Sequence, residues 1–336
     1  MKKSSRGLSR VGSRIALAIL CLLVSVVTGS PPLAFAQQLP EPFVAIHVSE
    51  ITQALETKPA VPPTPTGTGT TGNEWPYASW RYYVAYESLK EALRSDGTPF
   101  VTVSDSDIAA GKLLNTDGTP HYPILFSLMA EAVADNELSP LRDYVSAGGF
   151  LVTNASTFTR NPDGTARPGF AFATEMGLQM ASPLFENWYL NTHFTKTADH
   201  RLTAHIPAGK LNWNGPLNSD EISLGISPSH VPHSGHYAWK VVAHDANVIA
   251  TGDMGPLLSV KNYGLGQFIF SGDFQPIIGH GGTDPGMYSY LIYRKAIEWA
   301  FDTFSLPIVK ASPWPFPYDA AFMVRHDFEN QPGLIR

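Results

Sequence analysis

The sequence predicts an α/β protein built on a doubly wound, mostly parallel sheet. Apolar segments of five to seven residues alternate along the chain with segments of helical spacing. These apolar segments are continuous, as in strands that are buried on both faces of a parallel sheet. The chain has 336 residues, of which 43% are hydrophobic and 15% charged, so it can form a sizeable core.

The first 36 residues have the layout of a secretory signal peptide. A basic start precedes the apolar run Ile15 to Val27, and the small residues Ala34 and Ala36 suit cleavage after Ala36. The apolar run is too short to span a bilayer comfortably. We therefore expect a secreted or periplasmic protein, with residues 37–42 as its first segment and no stable membrane span. An uncleaved anchor is the alternative.

Loss of this segment changes the charge and the cysteine content. The chain has 23 Lys and Arg against 29 Asp and Glu; five basic residues lie before Ile15, so 18 would remain and the net charge would be −11. An acidic exported protein is a poor candidate for binding nucleic acid. Cys21 is the single cysteine, so the mature chain would have no disulfide and no thiol nucleophile.

The elements of the first half follow from the hydrophobic spacing. Residues 43–49 predict a strand, and residues 58–76 form a loop rich in Pro, Thr and Gly. A helix from Ser79 to about Arg94 is indicated by apolar residues at helical spacing: Tyr82, Tyr86, Leu89 and Leu93. Further strands are predicted at residues 99–104, 122–128 and 150–154, with a helix at 136–147 that Gly148 and Gly149 end.

The second half is less regular. Residues 170–231 show no clear period, and the aromatic residues in irregular segments suit either stacking on sugar rings or a core: Trp188, Trp213, Tyr237 and Trp239. Three strand-like segments follow, "AWKVVAH", "NVIATGD" and "GQFIFSGD", and the first two are interpreted as a hairpin. A helix from Pro285 to Thr303 closes the pattern.

The segments "YPILFSL…LSPLRDYVSAGGFLVTN" and "GLGQFIFSGDFQP…RKAIEWAF" resemble the class I glutamine-amidotransferase-like, flavodoxin-type domains. The resemblance covers residues 43–304 and implies the fold of those domains. Amidotransferases use a cysteine on a sharp strand-to-helix turn. Ser127 follows a predicted strand but lacks flanking glycines, so we expect a binding or scaffolding domain without a nucleophile.

Two loops offer candidate ligand residues. The segment "GDFQPIIGHGGTDPG" lies between a strand and a helix, where doubly wound folds bind ligands, so Asp273, His280 and Asp284 are predicted ligand-binding residues. A Gly-rich connection with capping polar residues is the alternative. In "HVPHSGH", three histidines at a spacing of three could bind zinc or copper, or be solvated: His230, His233 and His236.

The segment "SPWPFPYDAAFMVRHDFEN" resembles the opening of the polysaccharide deacetylases of the NodB-homology family. The resemblance implies the first strand of an α/β barrel, with Asp327 and Glu329 as catalytic acids. It also implies a divalent metal, zinc or similar, held by Asp327, His326 and Glu329. Residues two apart on a strand face the same side, so the side chains of Asp327 and Glu329 could converge on one point. Which of the two acids is the base and which is the metal ligand therefore stays open. A simple cap or turn is the alternative.

This second resemblance covers about twenty residues, whereas a domain needs about 150–250. Residues 305–336 are therefore interpreted as a linker and the truncated start of a deacetylase domain, inactive by itself and with no certain cofactor. The sequence predicts an exported carbohydrate-active protein, part of a metal-dependent deacetylase that removes acetyl groups from a polysaccharide. The alternative is a non-catalytic carbohydrate-binding or oligomerisation module, and homo-oligomerisation is left open.

Overall fold

The computed structural model describes residues 38–56, 78–181, 188–212, 236–273 and 284–311. Apart from Gln38, these residues belong to one compact unit, Leu39–Arg336. None of the helices in these ranges is both long enough and apolar enough to cross a membrane.

Within the described residues, nine strands form the main sheet, in the order β2-β1-β3-β4-β13-β12-β11-β7-β8. Two small sheets accompany it, one of β10 with β5 and one of β6 with β9. The strands are β1 (Val44–Val48), β2 (Phe100–Ser104), β3 (Ile124–Ser127), β4 (Phe150–Asn154), β5 (Leu178–Met180), β6 (Trp188–Asn191), β7 (His193–Lys196), β8 (Lys210–Asn212), β9 (His236–Trp239), β10 (Val241–Ala243), β11 (Asn247–Gly252), β12 (Gly255–Tyr263) and β13 (Gly266–Ser271).

The described helices lie mostly between the strands of the first half. They are α1 (Glu50–Glu56), α2 (Ala78–Asp96), α3 (Asp105–Ala109), α4 (Asp135–Ser146), α5 (Ala173–Met176) and α6 (Asp284–Thr303), with one 3₁₀ turn at Arg201–Thr203. Helix α4 ends where Gly148 adopts a φ of 122°, a conformation that favours glycine. The predicted helices at 79–94, 136–147 and 285–303 are confirmed within two residues at each end.

The sheet is mixed, so the predicted doubly wound, mostly parallel architecture is wrong. Strands β2, β1, β3, β4 and β13 pair in parallel, whereas β13, β12, β11, β7 and β8 pair antiparallel. The predicted hairpin does not form, because β10 pairs with β5 and β11 pairs with the long strand β12, which the sequence pattern missed. Apolar runs locate strands, but the partner of a strand is decided by distant residues. The predicted first strand of a barrel falls outside the described residues.

Large side chains cover both faces of the central strands. On one face, helix α6 packs Tyr293 against Phe126 of β3, with ring centroids 5.4 Å apart. On the other face, Phe172 packs against Phe268 of β13, with ring centroids 5.8 Å apart. Ring pairs at these distances add to the free energy gained by burial. The centre of the sheet is therefore a closed apolar core.

The register of the parallel strands decides which polar residues meet at the carboxyl edge of the sheet. Ile46 of β1 lies opposite Phe126 of β3, so the next residues, His47 and Ser127, share the other face. On the far side of β1, Val48 lies opposite Ser104, the last residue of β2. Asp105 follows directly, so three strand ends bring their polar residues together.

Candidate functional site

Four side chains form a polar cluster at the carboxyl ends of β1, β2 and β3: His47, Asp105, Ser127 and Glu137. The imidazole of His47 joins two of them, because its Nδ1 lies 2.7 Å from Oγ of Ser127 and its Nε2 lies 2.6 Å from Oδ1 of Asp105. The exposed fraction is 1% for His47, 6% for Asp105, 0% for Ser127 and 1% for Glu137. The cluster is therefore closed to any ligand as large as a sugar ring.

Asp105 reaches the cluster because helix α3 begins at that residue. The Ser104 hydroxyl accepts the backbone N–H of Asp107 at 3.1 Å, and the Asp107 carboxylate accepts the backbone N–H of Ser104 at 3.2 Å. This reciprocal cap fixes the first turn of α3. The backbone N–H of Ile51 donates to Oδ2 of Asp105 at 2.8 Å, so Oδ1 is the oxygen left facing His47.

Glu137 enters the cluster from the first turn of helix α4. Its Oε1 accepts the backbone N–H of Ala134 at 2.8 Å, whereas Oε2 is buried and has no hydrogen-bond partner among the described residues. Burial, and then repulsion by the carboxylate of Asp105, raise the pKa of Glu137 to about 8. Asp105 raises the pKa of Glu137 through charge repulsion, because no hydrogen bond joins Oε2 of Glu137 to Asp105.

Tyr82 of helix α2 braces the backbone next to His47. Its hydroxyl accepts the N–H of Ser49 at 2.7 Å and donates to the carbonyl of His47 at 3.3 Å. Burial raises the pKa of Tyr82, so the phenol stays neutral and can donate. Strand β1 is thereby fixed at the end that carries His47.

The loops after β3 and β4 carry three non-glycine residues in the left-handed region. The φ angles are 54° at Met129, 42° at Ala155 and 62° at Phe158. Asn154 supports the first of them, because its Oδ1 accepts the backbone N–H of Met129 at 2.8 Å. Such conformations cost free energy and collect near functional sites. The loops that close over the carboxyl edge are therefore held in defined, strained turns.

The hydrogen bonds between Ser127, His47 and Asp105 connect the residue types of a hydrolytic triad. A nucleophilic serine must nevertheless be reached by its substrate and face an oxyanion-binding site. Ser127 is the last residue of β3 and is fully buried. The arrangement therefore fixes the ends of three strands and orients His47, and it does not present a nucleophile.

The predicted site residues are only partly placed by the structure. Asp273 follows β13, is 4% exposed, and forms an isolated backbone bridge with Ala238. His280, His326, Asp327 and Glu329 lie outside the described residues, and Asp284 begins α6 with its side chain outside them. The catalytic and metal-ligating assignments of these residues stay predictions. His230 and His233 also lie outside the described residues, as does the side chain of His236.

Sequence reasoning missed His47, Asp105 and Glu137. A usable signal was present, because His47 and Asp105 sit at the ends of two predicted strands, and ligands of α/β sheets bind at that edge. Glu137 gave no such signal, because an acid in the first turn of a helix is common. Trp239 is 1% exposed, so this ring belongs to the core and is not available to stack on a sugar.

The fold resembles part of known β-galactosidases. A β-galactosidase from Bacillus circulans sp. alkalophilus matches with a TM-score of 0.50 and 14% identity, over 79% of this chain and 32% of that chain. A cold-adapted β-galactosidase from Rahnella sp. R3 matches with a TM-score of 0.51 and 15% identity, over 92% of this chain and 37% of that chain. The protein thus spans about a third of these enzymes. No protein-family model and no curated relative matches the chain.

These findings correct the predicted family. The two structures described above are β-galactosidases and no family model matches, so the prediction of an amidotransferase-like domain followed by the start of a NodB-type deacetylase is wrong. The error has a physical reason, because the quoted segments are ordinary strand, helix and turn sequences that many α/β proteins share.

Proposed function

We propose that this protein is a carbohydrate-active protein whose described unit binds a glycan without cleaving it. The observation that carries this proposal is the likeness in fold to two β-galactosidases, over 79% and 92% of the chain. Because the chain spans about a third of each enzyme, we propose a module role for it. Its partner would be a galactoside-containing glycan.

The burial of the polar cluster supports the non-catalytic part of the proposal. Glycosidases use two carboxyl groups that flank the scissile bond, one protonated and one ionised. Glu137, whose pKa is raised, lies beside a second carboxyl group, that of Asp105. Both are nevertheless buried beside the core, so a glycosidic bond cannot come between them. Hydrolysis at this pair is therefore not part of the proposal.

The proposed glycan contacts lie at the carboxyl edge of the sheet, after β13. We keep Asp273, His280 and Asp284 as the proposed ligand-binding residues; Asp273 is 4% exposed, so it would act by positioning its neighbours after β13 rather than by touching the glycan. Burial raises the pKa of Tyr189 and of Tyr293, and the negative charge of Asp273 raises both further. Asp273 therefore lies near both phenols. We further propose that the protein is exported to the periplasm or medium. We also propose that it binds a divalent cation such as zinc and that it self-associates.

The test measures binding and turnover on the same preparation of the protein. Affinity electrophoresis and calorimetry with galacto-oligosaccharides should show binding, whereas a nitrophenyl β-galactoside should not be hydrolysed. Asp273→Asn should weaken binding at unchanged fold, as judged by circular dichroism. Asp302→Asn is the control. Asp302 lies near the carboxyl end of α6, in an exposed ion pair with Arg201, so this variant also loses one negative charge and should leave binding unchanged.

Two results would overturn the proposal. Failure to bind any galactoside at millimolar concentration would remove the glycan-binding role. Turnover of the nitrophenyl galactoside that disappears in Glu137→Gln would instead show that the buried acids are catalytic.

A further inference from the structure

Three side chains of the polar cluster each have one polar atom anchored outside the group of three and one left over that faces the other two side chains. The anchored atoms are Nδ1 of His47 at Ser127, Oδ2 of Asp105 at the N–H of Ile51, and Oε1 of Glu137 at the N–H of Ala134. The atoms left over are Nε2, Oδ1 and Oε2. Anchoring of this kind is what orients the ligands of protein metal sites.

The three side chains converge. One ligand atom from each of His47, Asp105 and Glu137 lies within 4.8 Å of the other two. Nε2 of His47 and Oδ1 of Asp105 lie 2.6 Å apart, within hydrogen-bond distance. Oε2 of Glu137 has no hydrogen-bond partner in the described part of the chain, although the residue is 1% exposed. A buried carboxylate oxygen without a partner is costly, and a cation would satisfy it.

Arg167 does not fill the place between the two carboxyl groups of the cluster. Two carboxyl groups meet one imidazole, and Arg167 is the positive side chain whose charge acts on Glu137. The guanidinium of Arg167 is engaged elsewhere, because it donates to the carboxylate of Asp135 and to the carbonyl of Val133, both at 2.9 Å. A divalent ion bound between Asp105 and Glu137 would displace the proton that the raised pKa keeps on Glu137 near neutral pH, and would then pair with both carboxyl groups.

We propose that His47, Asp105 and Glu137 bind one divalent transition-metal ion, for which Zn²⁺ is the best match. Imidazole nitrogen favours zinc, iron, copper and nickel over calcium and magnesium, and carboxylates complete the set. Bonds of about 2.0–2.2 Å place the ligand atoms of tetrahedral zinc about 3.3 Å apart, so His47 and Asp105 need to separate by less than about 1 Å. A ligating Nε2 carries no hydrogen, so the single imidazole proton would sit on Nδ1 and donate to Oγ of Ser127, and the proton of Glu137 would pass to solvent.

This inference does not depend on glycan binding. The ion would tie strand β1 to helices α3 and α4 behind the carboxyl edge, out of reach of a sugar. A stabilising role is expected, since a bound ion stabilises the folded state in proportion to its occupancy. Binding of zinc and binding of a galactoside can therefore succeed or fail separately.

The experiment uses the full chain, stripped with a chelator and reloaded with Zn²⁺, Mn²⁺ or Mg²⁺. Mass spectrometry of metals after gel filtration should find one Zn²⁺ per chain, and the midpoint of thermal unfolding should rise with Zn²⁺ and not with Mg²⁺. Glu137→Gln and Asp105→Asn should each lower the affinity for Zn²⁺ at least about 100-fold. Ser127→Ala, which removes the partner of Nδ1, should lower it about 10- to 100-fold.

The loop histidines provide the decisive control. A variant with His230→Ala, His233→Ala and His236→Ala removes the candidate zinc ligands of that loop and should keep the ion. Loss of zinc from this triple variant, or its retention at full affinity in Glu137→Gln, would overturn the proposal. Glu137→Gln keeps the shape of the side chain, and circular dichroism of the stripped protein verifies its fold. A chain that takes up no stoichiometric zinc would also overturn it.

Discussion

Nε2 of His47 lies 2.6 Å from Oδ1 of Asp105, although 58 residues separate the two along the chain. The contact exists because β1 and β2 are parallel neighbours that end at the same edge. His47 also holds Ser127 of β3, so one imidazole connects the ends of three strands. The stability of this edge can be tested one side chain at a time.

Ser127→Ala should destabilise the protein without affecting its surface. The substitution leaves Nδ1 of His47 buried without its partner, a loss of about 1–3 kcal/mol in the free energy of unfolding. Urea unfolding measures the loss. Ser88→Ala is the matched control, because its hydroxyl bonds a carbonyl of its own helix and should cost less than about 1 kcal/mol. Equal losses in the two variants would contradict the structural role of Ser127.

Gly149→Ala should be among the most damaging single methyl additions. A Cβ at this position would overlap the ring of Tyr144, whose hydroxyl donates to the carbonyl of Tyr122 at 3.0 Å. We expect a loss of about 1–3 kcal/mol or more from overpacking, measured by thermal or urea unfolding. Gly169→Ala, where the new Cβ meets nothing within 4 Å, should change stability by less than about 0.5 kcal/mol. A tolerated Gly149→Ala would mean that Tyr144 packs differently.

The ionisation of Asp96 should make the free energy of unfolding depend on pH at acidic pH. Burial by itself raises the pKa of Asp96, but hydrogen bonds from Lys310 and Thr98 and the charge of Arg294 outweigh it and lower the pKa below its usual 3.8. The folded protein therefore holds this acid ionised more strongly than the unfolded chain does. Its contribution is present above pH 3.8 and is lost as the pH falls through the lowered value.

Asp96→Asn should consequently reduce stability at pH 7, with a difference from the wild type that shrinks towards pH 2. Urea unfolding at a series of pH values measures this. Glu91→Gln removes an acid from an exposed pair on the same helix, 3.8 Å from Arg94, and should have little effect at any pH. A constant difference for Asp96→Asn down to pH 2 would argue against the lowered pKa.

Trp239→Ala should act as a core substitution. The ring is almost fully buried, so its removal should cost about 3–5 kcal/mol of unfolding free energy. The measurement is chemical unfolding followed by circular dichroism. Met254→Ala, at a side chain that is 53% exposed, should change stability by about 0.5 kcal/mol or less. A Trp239→Ala protein of normal stability but weaker glycan binding would restore the stacking role considered from the sequence.

The candidate site was within reach of sequence reasoning only in part. His47 and Asp105 stand at the ends of apolar runs that predict strands, and this position is where α/β sheets bind ligands. His47 and Asp105 are in contact because β1 lies between β2 and β3 in the sheet. This strand order cannot be predicted from any local sequence pattern. Glu137 joins them only because α4 starts beside α3. The roles of Asp327 and Glu329 rest on a short resemblance and stay predictions, because these residues lie outside the described part of the chain.

The sequence by itself determined where strands β1 to β4 and helices α2, α4 and α6 lie, because burial and helical period are recorded in neighbouring residues. Only the tertiary structure decided that half of the main sheet is antiparallel and that His47, Asp105, Ser127 and Glu137 meet. The physical reason is that strand pairing and side-chain convergence join residues tens of positions apart. Their free energy comes from packing of the whole chain rather than from any one segment.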